Sequence, residues 1–388
     1  MNMPMNLNIA KANQRLARKQ RGFSLVEMLV GVAIGLIATV AIVQMMVSSE
    51  SRKRTTTSGS DAQISGVLGL FNLERDIRKA GHGFGTAPGN IMGCNVSATV
   101  SGVAVAPAVR FFPVEIIQGA AGAPDQIISF YGNSTFLTAS QPFTSSTATT
   151  KTLQTRNGFQ QGDLVVVAGN ATAVMASANC NLVQITGNAA ADGRSVEHLT
   201  GAYANFYPGP PAPPPASLYN TAAGTGAAYT SGTMFNLGNQ PLRTLWYIDN
   251  SRTLFSRETL SGAAGVEVAE GIIDLQAEYG VDSNGDGLIT DGSGMPATPN
   301  EWVTATPADW TQVRAIRVAV LSRSRQFERD SVTTVAPGWQ GGAFTMANLD
   351  GSAGATVPLT AADNWRNYRY RVYEKVIPIR NLIWGTAP

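Results

Sequence analysis

The longest unbroken apolar pattern in the chain is FSLVEMLVGVAIGLIATVAIVQMMV, from Phe23 to Val47, 25 residues without Lys, Arg, Asp or Pro. A run of this length spans a bilayer as a helix. Residues 48–80 contain no Pro and continue with a helical period. Ile64, Val67, Leu68 and Phe71 recur at three- and four-residue spacing, and Leu70, Leu73 and Ile77 form a second apolar edge. Together they are read as the core-facing stripe of a helix lying on a sheet. Gly81-His82-Gly83 provides a glycine stop, so one helix is predicted from roughly Phe23 to Ala80.

After Gly83 the pattern shortens to strands bounded by Gly, Pro, Asn and Ser. Ile127–Tyr131 and Leu164–Val167 read as strands, while 132–160 and 168–195, rich in Ser, Thr, Asn and Ala, read as long loops with weak strands. Pro-rich residues 208–215 cannot join a ladder and read as an extended polyproline-like connection. Leu245–Ile248 and Leu254–Arg257 flank Asp249–Arg252 as a hairpin, followed by strands at Ile272–Tyr279, Val313–Ser322 and Tyr368–Ile379. The predicted fold class is α+β: a long N-terminal transmembrane helix packed on a globular body rich in antiparallel sheet, with long loops. Its segments are 1–22, a basic leader; 23–47, the transmembrane part of the helix; and 48–83, its periplasmic half. Next come 84–207, a first β-rich region; 208–240, a Pro/Gly-rich connection; and 241–388, a second β-rich region carrying an acidic loop at 282–293.

Charge changes this picture at one place. Lys11, Arg15, Arg18, Lys19 and Arg21 precede the apolar run with no acidic residue before Glu27. Positive flanks stay cytoplasmic, which puts the remainder outside. The formal charge of the whole 388-residue chain is +2; without the leader's five cations, 23 Lys and Arg face 26 Asp and Glu. The basicity therefore belongs to the leader and gives no support to a nucleic-acid partner. The alternating Tyr and Arg of 368–373 could stack on single-stranded nucleic acid, but a sheet with one solvated face produces the same alternation.

Glu27 is the only ionisable side chain between Phe23 and Val47. A charge in such a helix costs at least ~2.5 kcal/mol on insertion scales and calls for a partner. The apolar run exceeds the roughly 7–15 residues of a signal-peptide core, and Ser48-Ser49-Glu50-Ser51 lacks a small-residue cleavage pattern. A plain anchor leaves Glu27 and the abrupt Gly22-Phe23 junction unexplained. The segment Gly22-Phe23-Ser24-Leu25-Val26-Glu27 resembles the type IV prepilins, whose basic leader ends in Gly before Phe-Ser/Thr-Leu-x-Glu. The resemblance implies that a prepilin peptidase cuts between Gly22 and Phe23 and methylates the amine of Phe23. Glu27 then serves subunit assembly by pairing with a neighbour's N-terminal amine. Gly31 and Gly35 add the GxxxG spacing of close helix contacts in lipid, although Gly is common in membrane helices generally.

Together with the length, the segment Leu73–Gly83, the hairpin and the Tyr-Arg strand, the chain looks like a minor pilin of the PilW family. That family implies a low-abundance subunit held by the inner-membrane assembly platform. It joins other minor pilins, primes polymerisation of the major pilin, and remains at or near the surface pilus tip, where a tip adhesin is a further partner the resemblance allows. Two alternatives stay open. One is a GspJ-type pseudopilin of type II secretion, which shares leader, helix and β-rich body but is generally much shorter. The other is a tip adhesin or DNA-binding pilin, whose body recognises a ligand directly.

Two further sites are legible. Cys94 and Cys180 are the only cysteines, both on the exported side, and read as a disulfide, with two buried thiols as the alternative. Asp282-Ser283-Asn284-Gly285-Asp286-Gly287-Leu288 places oxygen ligands at positions 1, 3 and 5, Gly at 6 and a backbone carbonyl at 7, the first half of an EF-hand loop. Ser293 stands where the bidentate Glu belongs, and Asp291 is the nearest substitute. The expectation is Ca²⁺ held by Asp282, Asn284, Asp286, Leu288 and Asp291; the alternative is an acidic turn between strands. No catalytic array is found: His82 and His198 are the sole histidines, and there is neither a G-x-S-x-G motif nor a P-loop.

Overall fold

The computed structural model describes residues 22–135, 139–155, 158–169, 180–188, 193–207, 216–225, 229–294, 298–346 and 365–383. The basic leader before Gly22 and the Pro-rich stretch 208–215 lie outside the described residues. A single helix, α1, runs Leu25–Ile77. Contacts divide the chain into two units, 1–56 and 57–388. The first contains Leu25–Glu50, long and apolar enough by length and composition to cross a membrane, with mean hydropathy 2.5 and none of its window buried in the protein.

The second unit contains the rest of α1 and three principal sheets. One has eight strands, one five and one four. The five-stranded sheet sets Gln126–Tyr131 antiparallel to Leu242–Ile248, with Leu245 opposite Ile128. Its hairpin pairs Leu242–Ile248 with Thr253–Glu258, and Arg252 takes a positive φ in the turn. The four-stranded sheet is built on Ile272–Val281 and Val313–Arg323, with Tyr370–Pro378 beside the latter. The eight-stranded sheet joins strands from 95–197 with Gly232–Gly238, which falls within the expected connection 208–240. The expected loop regions also contribute ladders, at Gln141–Ser146, Thr150–Leu153, Cys180–Gln184 and Ser195–Glu197.

Burial explains which strands read clearly. In Leu164–Gly169, Leu164, Val166 and Ala168 face the main core while Val165 and Val167 face a second cluster with Phe143, Phe159 and Met234. A strand covered on both faces needs a continuous apolar run, and this one has it. Tyr370–Pro378 is also covered on both faces: Tyr370 and Val372 pack on a cluster around Leu321 and Phe344, while Tyr373 reaches the main core.

The core-facing side of α1 is narrower than expected. Leu70, Leu73 and Ile77 are buried as expected, whereas Ile64, Val67, Leu68 and Phe71 are exposed. The buried face passes through Gly66 and Gly69, where an added side chain would meet the Tyr373 ring and Leu254. Two glycines at the closest approach interrupt the apolar pattern, so periodicity did not separate the two edges.

Cys94 and Cys180 form a disulfide with Cα atoms 6.3 Å apart, beside the parallel pairing of Asn95–Ser97 with Cys180–Gln184. Both belong to the main core. Closing a loop with a sequence separation of 86 stabilises by up to ~4–5 kcal/mol in the chain-entropy description.

Candidate functional site

Among the described residues no atom comes within 4 Å of where a side chain at Gly22 would stand, and Phe23 is exposed. Glu27 lies in the first turn of α1, an acid at the positive end of the helix dipole. Its Oε2 accepts a hydrogen bond from the Ser24 amide at 3.4 Å. It is exposed among apolar neighbours.

The portion of α1 in the second unit carries two apolar edges, of which the body takes Leu70, Leu73 and Ile77 together with two acids. Asp76 accepts hydrogen bonds from Ser129, from the Tyr131 hydroxyl at 2.8 Å and from Trp246 Nε1 at 3.0 Å. Burial, with Asp76 beside it, pushes the Tyr131 hydroxyl well above its ordinary range. Glu74 is bound by Lys375 Nζ at 2.7 Å and by Arg78, and the Lys375 hydrogen bond leads in holding its carboxyl below the usual range. Acids thus fasten the helix to the body, and the apolar quartet Ile64, Val67, Leu68 and Phe71 faces away, 46–64 % exposed. Ile64 and Leu68 also border a groove of about 570 Å³ whose other wall is Glu267–Gly271 with Arg323 and Arg325.

The acidic loop is organised by a residue outside the motif. Glu301, buried, accepts from the Ser283 amide and hydroxyl, both at 2.9 Å, through Oε1 and from the Thr290 amide at 3.0 Å through Oε2. Burial alone would raise its carboxyl, but these hydrogen bonds outweigh burial and hold it below the usual range. Asp282 is buried; its Oδ2 accepts from the Gly287 amide at 3.2 Å and meets Arg314 Nε at 3.4 Å. Its Oδ1 is buried with no hydrogen-bond partner. Asn284 and Asp286 cap the turn's own amides, and Gly285 and Gly287 take φ of +77° and +79°. Asp291 turns away to Ser293, and Leu288 is exposed. Among the described residues no three Asp, Glu, His or Cys side chains stand close enough to hold a metal ion. Glu301 was missed because it lies beyond the twelve-residue frame of an EF-hand loop.

Other buried polar groups serve the fold. Lys151 Nζ donates to the Thr147 carbonyl at 2.7 Å and stands 3.1 Å from His198 Nε2. Burial lowers Lys151 to about 8, and burial together with Lys151 lowers His198 to about 3. The imidazole Nε2 therefore faces the Lys151 amine and, among the described residues, no hydroxyl or thiol. Arg317 is paired with Glu278 and lies over the rings of Trp302 and Trp339, at 4.7 and 5.4 Å.

Residues 244–381 match the family described as Type IV Pilus-assembly protein W. Residues 17–43 match the Prokaryotic N-terminal methylation motif, which covers Gly22, Phe23 and Glu27. The first match takes in the hairpin, the four-stranded sheet and the acidic loop. No curated protein and no solved structure matches significantly. The family matches point to a structural, non-enzymatic protein.

Proposed function

We propose that this chain, a PilW-type minor pilin by its two family matches, joins other minor pilins in a membrane complex that primes the type IV pilus and ends at or near its tip. In this reading the leader stays cytoplasmic and the body periplasmic. The prepilin peptidase cuts between Gly22 and Phe23 and methylates Phe23. Assembly draws on the inner-membrane platform, and the priming complex receives the major pilin.

The observation that carries this reading is the second, exposed apolar edge of the helix. A monomer gains nothing by turning Ile64, Val67, Leu68 and Phe71 to solvent while hydrogen-bonding Glu74 and Asp76 into its body. A subunit that buries this face against other pilus components does gain, at roughly 25 cal/mol per Å² of apolar surface removed from water. Contiguous exposed apolar patches mark such contacts. Glu27 supplies registry within the bilayer. Left unpaired there it is costly, so a docked subunit is favoured where a neighbour's amine lies nearby.

Deletion of the gene tests the reading. Surface pili should be lost while type II secretion continues; lost secretion with normal pili contradicts it, and normal pili with lost adhesion or DNA uptake moves the function to ligand recognition. In a complemented strain, Glu27→Ala should leave cleavage at Gly22 largely intact and reduce piliation.

A further inference from the structure

We propose that the loop Asp282–Leu288 is a calcium site whose preformed ligand is the buried, unpartnered Oδ1 of Asp282, with Glu301 as the residue that holds the loop in shape. This inference is independent of the pilus reading. Asp282 is 2 % exposed, and one of its oxygens is engaged from within the loop by the Gly287 amide and from the side by Arg314. The other is out of water with no donor. A buried carboxylate oxygen without a donor is unfavourable, and a cation that reaches it relieves that cost.

The other oxygens of the loop are of the right kind. Asn284 Oδ1 accepts from the Asp286 amide, the Asp286 carboxylate accepts from the Leu288 amide and from Asn284 Nδ2, and both residues are exposed. The Leu288 carbonyl follows Gly287 at the position where such loops offer a main-chain oxygen. Calcium accepts carboxylate, amide and carbonyl oxygens together with water in a flexible shell, and needs no cluster of three acids. Magnesium demands a stricter octahedron and sheds water reluctantly, so this loop favours calcium.

Glu301 does the work expected of the missing twelfth-position Glu by another route. It bridges Ser283 near the start of the loop and Thr290 past its end, which keeps the turn closed, and its charge adds to those of Asp282 and Asp286. Asp291 is not a ligand in this account, because its Oδ1 is occupied by the Ser293 amide at 3.0 Å and hydroxyl at 2.5 Å. A loop with one preformed ligand, which closes the remainder on binding, belongs in the extracellular affinity range, on the order of 10⁻⁴–10⁻³ M.

The test is equilibrium dialysis of the full chain in detergent against ⁴⁵CaCl₂, with thermal melting in calcium, magnesium and chelator. A single ion should bind with half-saturation in that range, and calcium should raise the melting temperature more than equal magnesium. Asp286→Ala, at an exposed position, should weaken binding about tenfold or more and narrow the gap between its melts in calcium and in chelator; Asp291→Ala should bind as the native chain does. Absence of retained calcium at several times the upper concentration, or undiminished binding by Asp286→Ala, overturns the site. Equal loss in Asp291→Ala overturns the ligand assignment.

Discussion

Asp125 and Asp274 are a pair of buried acids that the sequence does not bring together. Burial pushes Asp274 up to about 7 against hydrogen bonds from Gln276 and the Leu275 amide, and Asp125 adds to the rise. Burial likewise pushes Asp125 up to about 6 against the Gly119 and Ala277 amides. Both carboxyls hold protons more tightly in the folded chain than at their ordinary 3.8. Their contribution to stability is therefore full below pH 3.8 and is lost as pH rises through 6 to 7. His198, lowered to about 3 from 6.5, has the opposite slope, but only below pH 6.5. Between pH 6.5 and 8 the folded protein should lose about 1 kcal/mol from Asp274 alone. Asp274→Asn should flatten that loss and raise stability at pH 8, as read by denaturant melts; a flat native profile, or an unchanged slope in the variant, contradicts the assignment. No local pattern announced this pair. Asp125 and Asp274 sit in different strand neighbourhoods, linked by hydrogen bonds from the Asp125 amide to the Leu275 carbonyl at 2.7 Å and from the Ala277 amide to Asp125 Oδ2 at 2.9 Å.

At the scale of elements, strands with strong apolar runs were legible and the orientation of the helix was not. Periodicity shows that α1 has two apolar edges without showing which one the body takes. Gly66 and Gly69 decide it, because they let the helix approach Tyr373 and Leu254 and contribute nothing to an apolar count. The consequence can be measured in one helix with two substitutions. Leu73→Ala removes a fully buried side chain and should cost about 2–5 kcal/mol in denaturant unfolding. Phe71→Ser, at a side chain 57 % exposed, should change stability by no more than about 0.5 kcal/mol yet reduce piliation. A large stability loss at Phe71, or full piliation in that variant, would show that this face packs within the chain.

At the scale of the molecule, the two β-rich stretches of sequence interleave. The five-stranded sheet sets Gln126–Tyr131 against Leu242–Ile248, and the eight-stranded sheet takes in Gly232–Gly238. Pairings across such separations leave no trace in local composition. The segments with chemistry of their own read differently: Gly22, Phe23 and Glu27 form a contiguous signal, and the only two cysteines leave one possible disulfide. The acidic loop was found, but Glu301 was not, since it joins the loop only through the fold. The central claim is that this chain is a processed pilin whose Phe23 amine and Glu27 engage neighbouring subunits. Mass spectrometry of the N-terminus of the protein from its own cells tests it most directly. The account predicts a chain beginning with N-methyl-Phe23; residues 1–22 still attached in cells with an active prepilin peptidase would contradict it.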